Sequence, residues 1–200
     1  MSAAADIPDE TLVAQVIAGN EDAFASLVTR YQRPLLRLAR SFVRDESLAE
    51  DVVQDTWIGL LRGIEKFEGR SSFRTWLFRV LTNRAKTRGV KESRYVSLEA
   101  DPTAGDGDDD FNHEGGWRQP PVPWTITPER LALSDEFRTL LEQALAELPP
   151  GQRAVVELRD IDGLDAAEVC NVLDVSETNQ RVLLHRGRTK LRAALAARLG

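Results

Sequence analysis

Between Asp101 and Thr127 the chain loses every periodicity. The run DPTAGDGDDDFNHEGGWRQPPVPW is rich in Asp, Gly and Pro, a composition that sustains neither helix nor strand and reads as a linker. On either side of it apolar residues return at helical spacing, and no stretch alternates as a strand does. That contrast predicts an all-α chain of two small helical domains, residues 1–98 and 128–200, joined by an acidic Pro/Gly-rich linker over 99–127. Two hundred residues suffice for two small cores.

In the first part, Asp9 and Thr11 are placed to open a short helix ending near Gly19. Asn20 caps a second, through Ala23, Phe24, Leu27, Val28 and Tyr31, with Pro34 allowing a bend or fresh start. Ser47 and Glu50 form an S-x-x-E capping box for the next, whose apolar side is Val53, Trp57, Leu60, Leu61 and Ile64. Glu50 and Asp51 suit the dipole of a first turn. Asp55, with Gln54, stands where a basic partner surface could meet it.

Glu68 and Gly69 break the pattern, and Ser71 or Ser72 restarts it. Phe73, Trp76, Leu77, Val80 and Leu81 share one side of the new helix, and Thr75, Arg79, Thr82 and Lys86 the opposite side. Phe78 lies off the main apolar stripe. Six Arg and Lys residues fall between Arg70 and Arg88 with no acid among them, interleaved with Phe73, Trp76 and Phe78. Cations of one sign repel one another unless something negative lies nearby. Cations hold phosphates and aromatic faces stack on bases, so the stretch suits opened or single-stranded nucleic acid. A solvated basic helix face is the other reading of the same residues.

Net charge is −6, unusual for a nucleic-acid binder, but the acidity is local. Residues 1–100 carry 15 basic and 14 acidic side chains, residues 101–136 two and nine, and residues 137–200 nine and nine. Fields are screened over about 10 Å at moderate salt, so local patches govern binding more than the total. The single cysteine, Cys170, excludes an internal disulfide or cysteine-rich zinc site and fits a small core residue in a cytoplasmic protein. No apolar run reaches membrane-spanning length, and MSAAADIPDE lacks the segments of a signal peptide. His113, beside Asp110 and Glu114, is a weak metal-ligand pattern. Phe111, Trp117 and Trp124 are unexpected in a spacer and suit docking on a partner or a flanking domain.

In the second part, Thr127 and Pro128 read as N-cap and first helical residue. Leu131, Leu133, Phe137, Leu140, Leu141, Ala144, Leu145 and Leu148 sustain that helix until Pro149, Pro150 and Gly151 end it. A short helix covers 152–159, and Gly163 sits in the following turn. Asp165 caps a helix over 166–173, Asp174 and Val175 make a tight turn, and Ser176 caps a last helix running nearly to Gly200. Two helices across a short turn, the second basic, form a helix-turn-helix pattern. Leu183, Leu184, Leu191, Ala194 and Leu195 share its inner side, while Arg181, His185, Arg188 and Arg192 occupy a narrow sector beside it. Residues 178–200 hold six Lys and Arg and no acid. Early turns in a major groove reach base edges and later cations hold phosphates. Glu177, Thr178, Arg181 and Val182 are therefore placed for bases, and Arg186, Arg188, Lys190 and Arg192 for phosphates.

The segments DAFASLVTRYQRPLLRLAR, AEDVVQDTWIGLLRGIEKFEG and SSFRTWLFRVLTNRAKTR resemble region 2 of a bacterial sigma factor. LPPGQRAVVELRDIDGLDAAEVCNVLDVSETNQRVLLHRGRTKLR resembles region 4. In this order and spacing they are similar to the extracytoplasmic-function (ECF) group of the sigma-70 family. The resemblance implies that Asp51, Gln54, Asp55, Trp57 and Leu61 dock on core RNA polymerase. It implies that Phe67, Arg70, Ser71, Phe78, Arg79, Asn83 and Lys86 hold the opened −10 strand. It assigns the −35 duplex to the helix from Ser176, with Ser176, Glu177, Thr178, Arg181, Val182, His185, Arg186, Arg188, Lys190 and Arg192 on its reading side. An anti-sigma partner is implied, no cofactor or metal is expected, and the linker would thread the polymerase. Many relatives have glycine where Asp174 stands, a Thr-Val pair at Asn179 and Gln180, and arginine at Leu183. Those departures bear on which −35 sequence is read.

A stand-alone helix-turn-helix repressor or activator, with residues 1–95 as a ligand or dimer domain, is the alternative of another class. An enzyme has less support: G-x-x-x-x-G-K-[ST], H-E-x-x-H and G-x-S-x-G are all absent from the sequence.

Overall fold

A computed structural model describes residues 7–43, 45–91 and 135–199. The linker, with Phe111, His113, Trp117 and Trp124, lies outside the described residues, as do Thr127, Pro128, Leu131 and Leu133. Every regular element among the described residues is helical.

The first region holds α1 (Asp9–Ile17), α2 (Glu21–Ala39), α3 (Glu46–Gly63), a short 3-10 turn (Ile64–Lys66) and α4 (Phe73–Lys91). The Asn20 side chain accepts from the Ala23 N–H and caps α2 as expected. That helix runs unbroken through Pro34, because Leu35, Leu38 and Ala39 beyond it are buried and hold the backbone in line. The capping box expected at Ser47 is displaced. Asp45 is the N-cap, accepting from the Ser47 and Leu48 N–H groups, and a carboxylate there also favours the dipole. Ser72 caps α4, accepting from the Thr75 N–H at 3.1 Å.

The second region holds α5 (Asp135–Ala146), α6 (Pro150–Val156), a wide turn (Glu157–Ile161), α7 (Ala166–Leu173) and α8 (Glu177–Leu199). Pro150 does not merely end a helix; it is the first residue of the next, with Pro149 as N-cap. The wide turn is π-helical: the Asp162 N–H reaches the Glu157 carbonyl at 2.8 Å, five residues back. Asp165 caps α7 with a full capping box, accepting from the Glu168 N–H while the Glu168 carboxylate accepts from the Asp165 N–H.

The two regions are not separate bodies. Phe42, Val52, Leu60, Phe73, Leu77 and Phe78 of the first region belong to one buried cluster with Val155, Leu158, Leu164, Val169, Val172 and Leu173 of the second. A smaller cluster of Ala144, Leu145, Leu148, Val156, Leu191 and Leu195 pins α5 onto α8. Cys170 is half-buried on α7, at the rim of the core, and burial pushes its thiol pKa up.

Candidate nucleic-acid interface

Helix α4 has two buried sides. Phe73, Leu77, Phe78, Leu81 and Ala85 are buried with the first region's core. Thr75 and Thr82, expected on an open polar side, are buried as well, because α7 lies against that side. Thr75 Oγ1 donates to Glu168 Oε1 at 2.5 Å. Arg79 donates to Asn171 Oδ1, and Lys86 donates to the Leu173 carbonyl at 3.2 Å. Arg79 and Asn83 remain exposed, Lys86 half so.

Phe78 is corrected. It is fully buried, edge-on to Tyr31 at 6.4 Å, so it is core and cannot stack on a base in this arrangement. Its helical angle looked off the stripe only because the stripe is wider than one neighbour requires; α2 and α3 both pack on this helix. Trp76, assigned to the core, is only partly buried and forms a patch with Phe67 at 5.3 Å. Phe67 is edge-on to Phe73 at 5.9 Å and half-exposed at the start of the loop that precedes α4. Arg70 is the most open cation there, with its side chain 85% exposed and paired with Glu68. Ser71 is half-exposed and its hydroxyl turns to the Ser72 carbonyl at 3.3 Å.

On α3 the acids have a partner inside the chain. Arg88 of α4 bridges Asp55 at 2.5 Å and Asp51 at 2.8 Å. Both carboxylates stay half-exposed, so they present a charge already partly balanced. Trp57 is corrected: it is 8% exposed, edge-on to Phe24 at 5.7 Å, with its N–H given to Gln32 at 2.7 Å. It shapes α3 from beneath and offers no docking surface. Leu61, placed by periodicity on the apolar side, is 52% exposed. Gln54 is exposed, and Ile58 between them is 41% exposed. Gln54, Ile58 and Leu61, at i, i+4 and i+7, form one open stripe. Sequence reasoning missed Ile58; an apolar residue off the core phase was the signal available.

In the second region α7, the turn and α8 form a helix-turn-helix. Asp174 takes the left-handed conformation at φ 61° and ψ 48°, the conformation that a glycine adopts at no steric cost. Ser176 caps α8, its hydroxyl accepting from the Asn179 N–H at 3.2 Å. Glu177, Thr178 and Arg181 are exposed on the first turns, and Arg181 reaches back to Glu177 at 3.2 Å. Val182, His185 and Arg186 are half-buried along the same helix, and Lys190 and Arg192 are exposed. Arg188 makes a two-pronged contact with Asp160 at 2.5 and 2.9 Å, so its position is set from within the fold. Gln180 and Leu183 point inward, 3% and 2% exposed. Two of the departures from the family pattern therefore lie beneath the reading face and not on it.

Gly187 also carries an unforeseen role. A Cβ there would stand 2.7 Å from Val156 Cγ2 and 3.1 Å from the Gln152 carbonyl. Its absence lets α8 cross α6 closely.

The same two regions occur in known proteins. Residues 27–95 match the model for Sigma-70 region 2, and residues 138–191 match that for Sigma-70, region 4. The chain is 33% identical over 187 residues to the RNA polymerase sigma-H factor of Pseudomonas aeruginosa, covering 94% of this chain and 93% of that one. It is 32% identical over 186 residues to the ECF RNA polymerase sigma-E factor of Escherichia coli K12, covering 91% of each. Among solved structures it resembles CnrH in complex with the cytosolic domain of CnrY, at TM-score 0.55 and 28% identity over 94% of this chain and 97% of that one. It shares its fold with RpoE of Bartonella quintana, solved with the anti-sigma factor NepR, at TM-score 0.53 and 19% identity over 86% of this chain and 96% of that one. The chain belongs to the sigma-70 family and is an RNA polymerase sigma factor of the ECF group.

Proposed function

We propose that the chain divides promoter recognition between its two regions and performs no chemistry of its own, acting in the cytoplasm as a subunit of the polymerase holoenzyme. The observation that carries this is the α7–turn–α8 unit, whose capped first turns offer Glu177, Thr178 and Arg181 to a −35 major groove. Val182 and His185 border that face, and Arg186, Arg188, Lys190 and Arg192 serve the flanking phosphates. The loop with Phe67, Arg70 and Ser71 takes a flipped base, and Arg79, Asn83 and Lys86 hold the −10 strand. The open stripe of Gln54, Ile58 and Leu61, edged by Asp51 and Asp55, docks on core polymerase.

Unstacking costs a few kcal/mol per step, offset by captured bases and phosphate contacts. The test is run-off transcription and opening with core polymerase. Arg79→Ala with Lys86→Ala should lower promoter opening by about 10- to 100-fold, on the order of 1–3 kcal/mol, and leave core binding intact. Ile58→Asp with Leu61→Asp should weaken core binding, and opening should return when core polymerase is supplied in excess. Equal loss of both activities in both variants would refute the division.

An anti-sigma partner fits the same chain. An open cleft of about 1420 Å³ runs between α2 and the second region, lined by Leu36, Arg37, Phe137, Leu141, Leu148 and Ile161 among others. Its apolar floor and charged rim suit an amphipathic helix, and the Bartonella relative was solved with an anti-sigma factor.

A further inference from the structure

Charged residues meet in rungs along the seam between α3 and α4. Arg88 of α4 bridges Asp51 and Asp55 of α3, at 2.8 and 2.5 Å. One turn back along α4 stands Arg84. One turn on along α3, where the next carboxylate of the ladder would fall, stands Gly59. The Arg84 guanidinium lies across that glycine. A Cβ at position 59 would overlap Arg84 Nη2 and stand 2.5 Å from its Cζ and 2.9 Å from its Nε. The absence of a side chain is what makes room for the group.

No acid completes this rung. Arg84 is half-buried, and its Nε is buried without a hydrogen-bond partner. Among the described residues no hydrogen bond or ion pair reaches the rest of the guanidinium either. Buried polar atoms are almost all satisfied in settled interiors, and a charge drawn partly out of water without a counter-ion is unfavourable. A guanidinium is a flat fork of donors that matches a carboxylate in a two-pronged pair. Here the fork is held in place with its anion missing.

The surroundings say where that anion comes from. Gly59 adjoins Ile58 of the open stripe Gln54, Ile58 and Leu61, and the exposed Arg62 stands three residues further along α3. Arg84 lies about 140° around α4 from Arg79, whereas Asn83 and Lys86 fall close to Arg79. It therefore faces the docking side of region 2 and not the side assigned to the DNA strand.

We propose that Gly59 and Arg84, with Arg62 beside them, form a receptor for an acidic side chain of core RNA polymerase. The proposal rests on the docking role given to the Gln54, Ile58 and Leu61 stripe under the proposed function. The docking face then has a charge order. Asp51 and Asp55 lie towards the start of α3 and are balanced by Arg88; Arg62 and Arg84 lie towards its end and are open. Apolar contact alone would let α3 shift along its partner, and one two-pronged pair fixes the register.

Arg84→Met keeps a stem over Gly59 and deletes the charge. Full-length variants would be titrated against core polymerase at low and high salt, and melted on their own. Arg84→Met should weaken core binding by about tenfold at low salt, with a smaller deficit at high salt. The free chain should melt no lower than wild type, because the charge has no partner there to lose. Arg84→Lys, charged but without the fork, should recover only part of the affinity. Gly59→Ala should weaken binding by displacing the guanidinium, and adding it to Arg84→Ala should cost nothing further. The receptor is overturned if Arg84→Met binds core polymerase as wild type does, if its deficit is the same at both salts and comes with a lower melting temperature, or if the losses from Gly59→Ala and Arg84→Ala multiply. It is overturned too if the Arg84→Met holoenzyme assembles normally but loses affinity for a pre-opened promoter, which would make the anion a phosphate. The docking stripe fails by a separate result: Ile58→Asp with Leu61→Asp that binds core polymerase normally.

Discussion

Helices α4 and α8 look alike in sequence, each a long basic helix with apolar residues on one side, yet the fold uses them differently. α4 is enclosed on both sides, by its own core and by α7, and its Arg79, Lys86 and Arg88 find acceptors inside the chain. α8 is buried on one side, through Leu183, Leu191 and Leu195, and open on the other. A basic stripe in a sequence thus fixes what a helix can bind, and the neighbouring element decides when.

The largest test of that contrast is Phe78→Ala. Deleting a fully buried ring that faces Tyr31 should cost about 3–5 kcal/mol, read by chemical denaturation. One core runs through both regions, so a single transition should shift. Two transitions, with region 4 unmoved, would break the picture of a shared core.

Gly187→Ala probes the other side. The added methyl meets Val156 and the Gln152 carbonyl, and overpacking of this kind costs about 1–3 kcal/mol. Affinity for a −35 duplex should fall with it, because the tilt of α8 changes, while docking on core polymerase through α3 stays. Unchanged stability would show that α6 and α8 part more easily than the close crossing implies.

The smallest effect concerns Glu157, which is fully buried. Burial raises its pKa to about 7, against the pull of Arg153 and Arg37 and with the Asp162 charge adding to the rise. Ser41 of region 2 faces it at 3.5 Å. The unfolded value is 4.5, so the folded state holds the extra proton between these two values. Stability from this group is fully present below 4.5 and is lost as pH rises through about 7. Glu157→Gln should flatten melting temperature against pH over that window and raise it at pH 8 by about 5 °C. An unaltered pH profile would remove Glu157 as the source.

Much of this fold could be read from residue order. Asn20, Asp165 and Ser176 cap the helices they were expected to cap, and Ser72, one of two candidates, caps α4, because a short polar side chain beside an apolar run has few other uses. The turn at Asp174 was also legible, since Asp can take the left-handed angles. What escaped depended on contacts far along the chain. Thr75, Thr82 and Phe78 have angular positions that a helix wheel with one buried side leaves off the apolar stripe, and α4 is packed on two sides. Trp57 and Leu61 were given the same places, on the apolar side of α3 and among the docking residues, yet they part for a related reason: spacing locates a stripe but not its edges, so the indole is buried and the leucine exposed. Of the candidate interface, the exposed first turns of α8 were the most legible because their exposure follows from the local cap and turn. The −10 face required knowing where α7 comes to rest, roughly 90 residues away in sequence.

The wide turn at Glu157–Ile161 acts as a one-residue insertion in an otherwise α-helical run. It carries Glu157 and leads directly to Asp162, so an added or lost residue there would rotate Asp162 by about 100° relative to Glu157. The fit of region 4 against Ser41 and Arg37 is consequently a matter of counting. Removing one residue between 157 and 161, with Glu157 and Asp162 both retained, would unseat Asp162 from Arg37 and leave the helix-turn-helix whole.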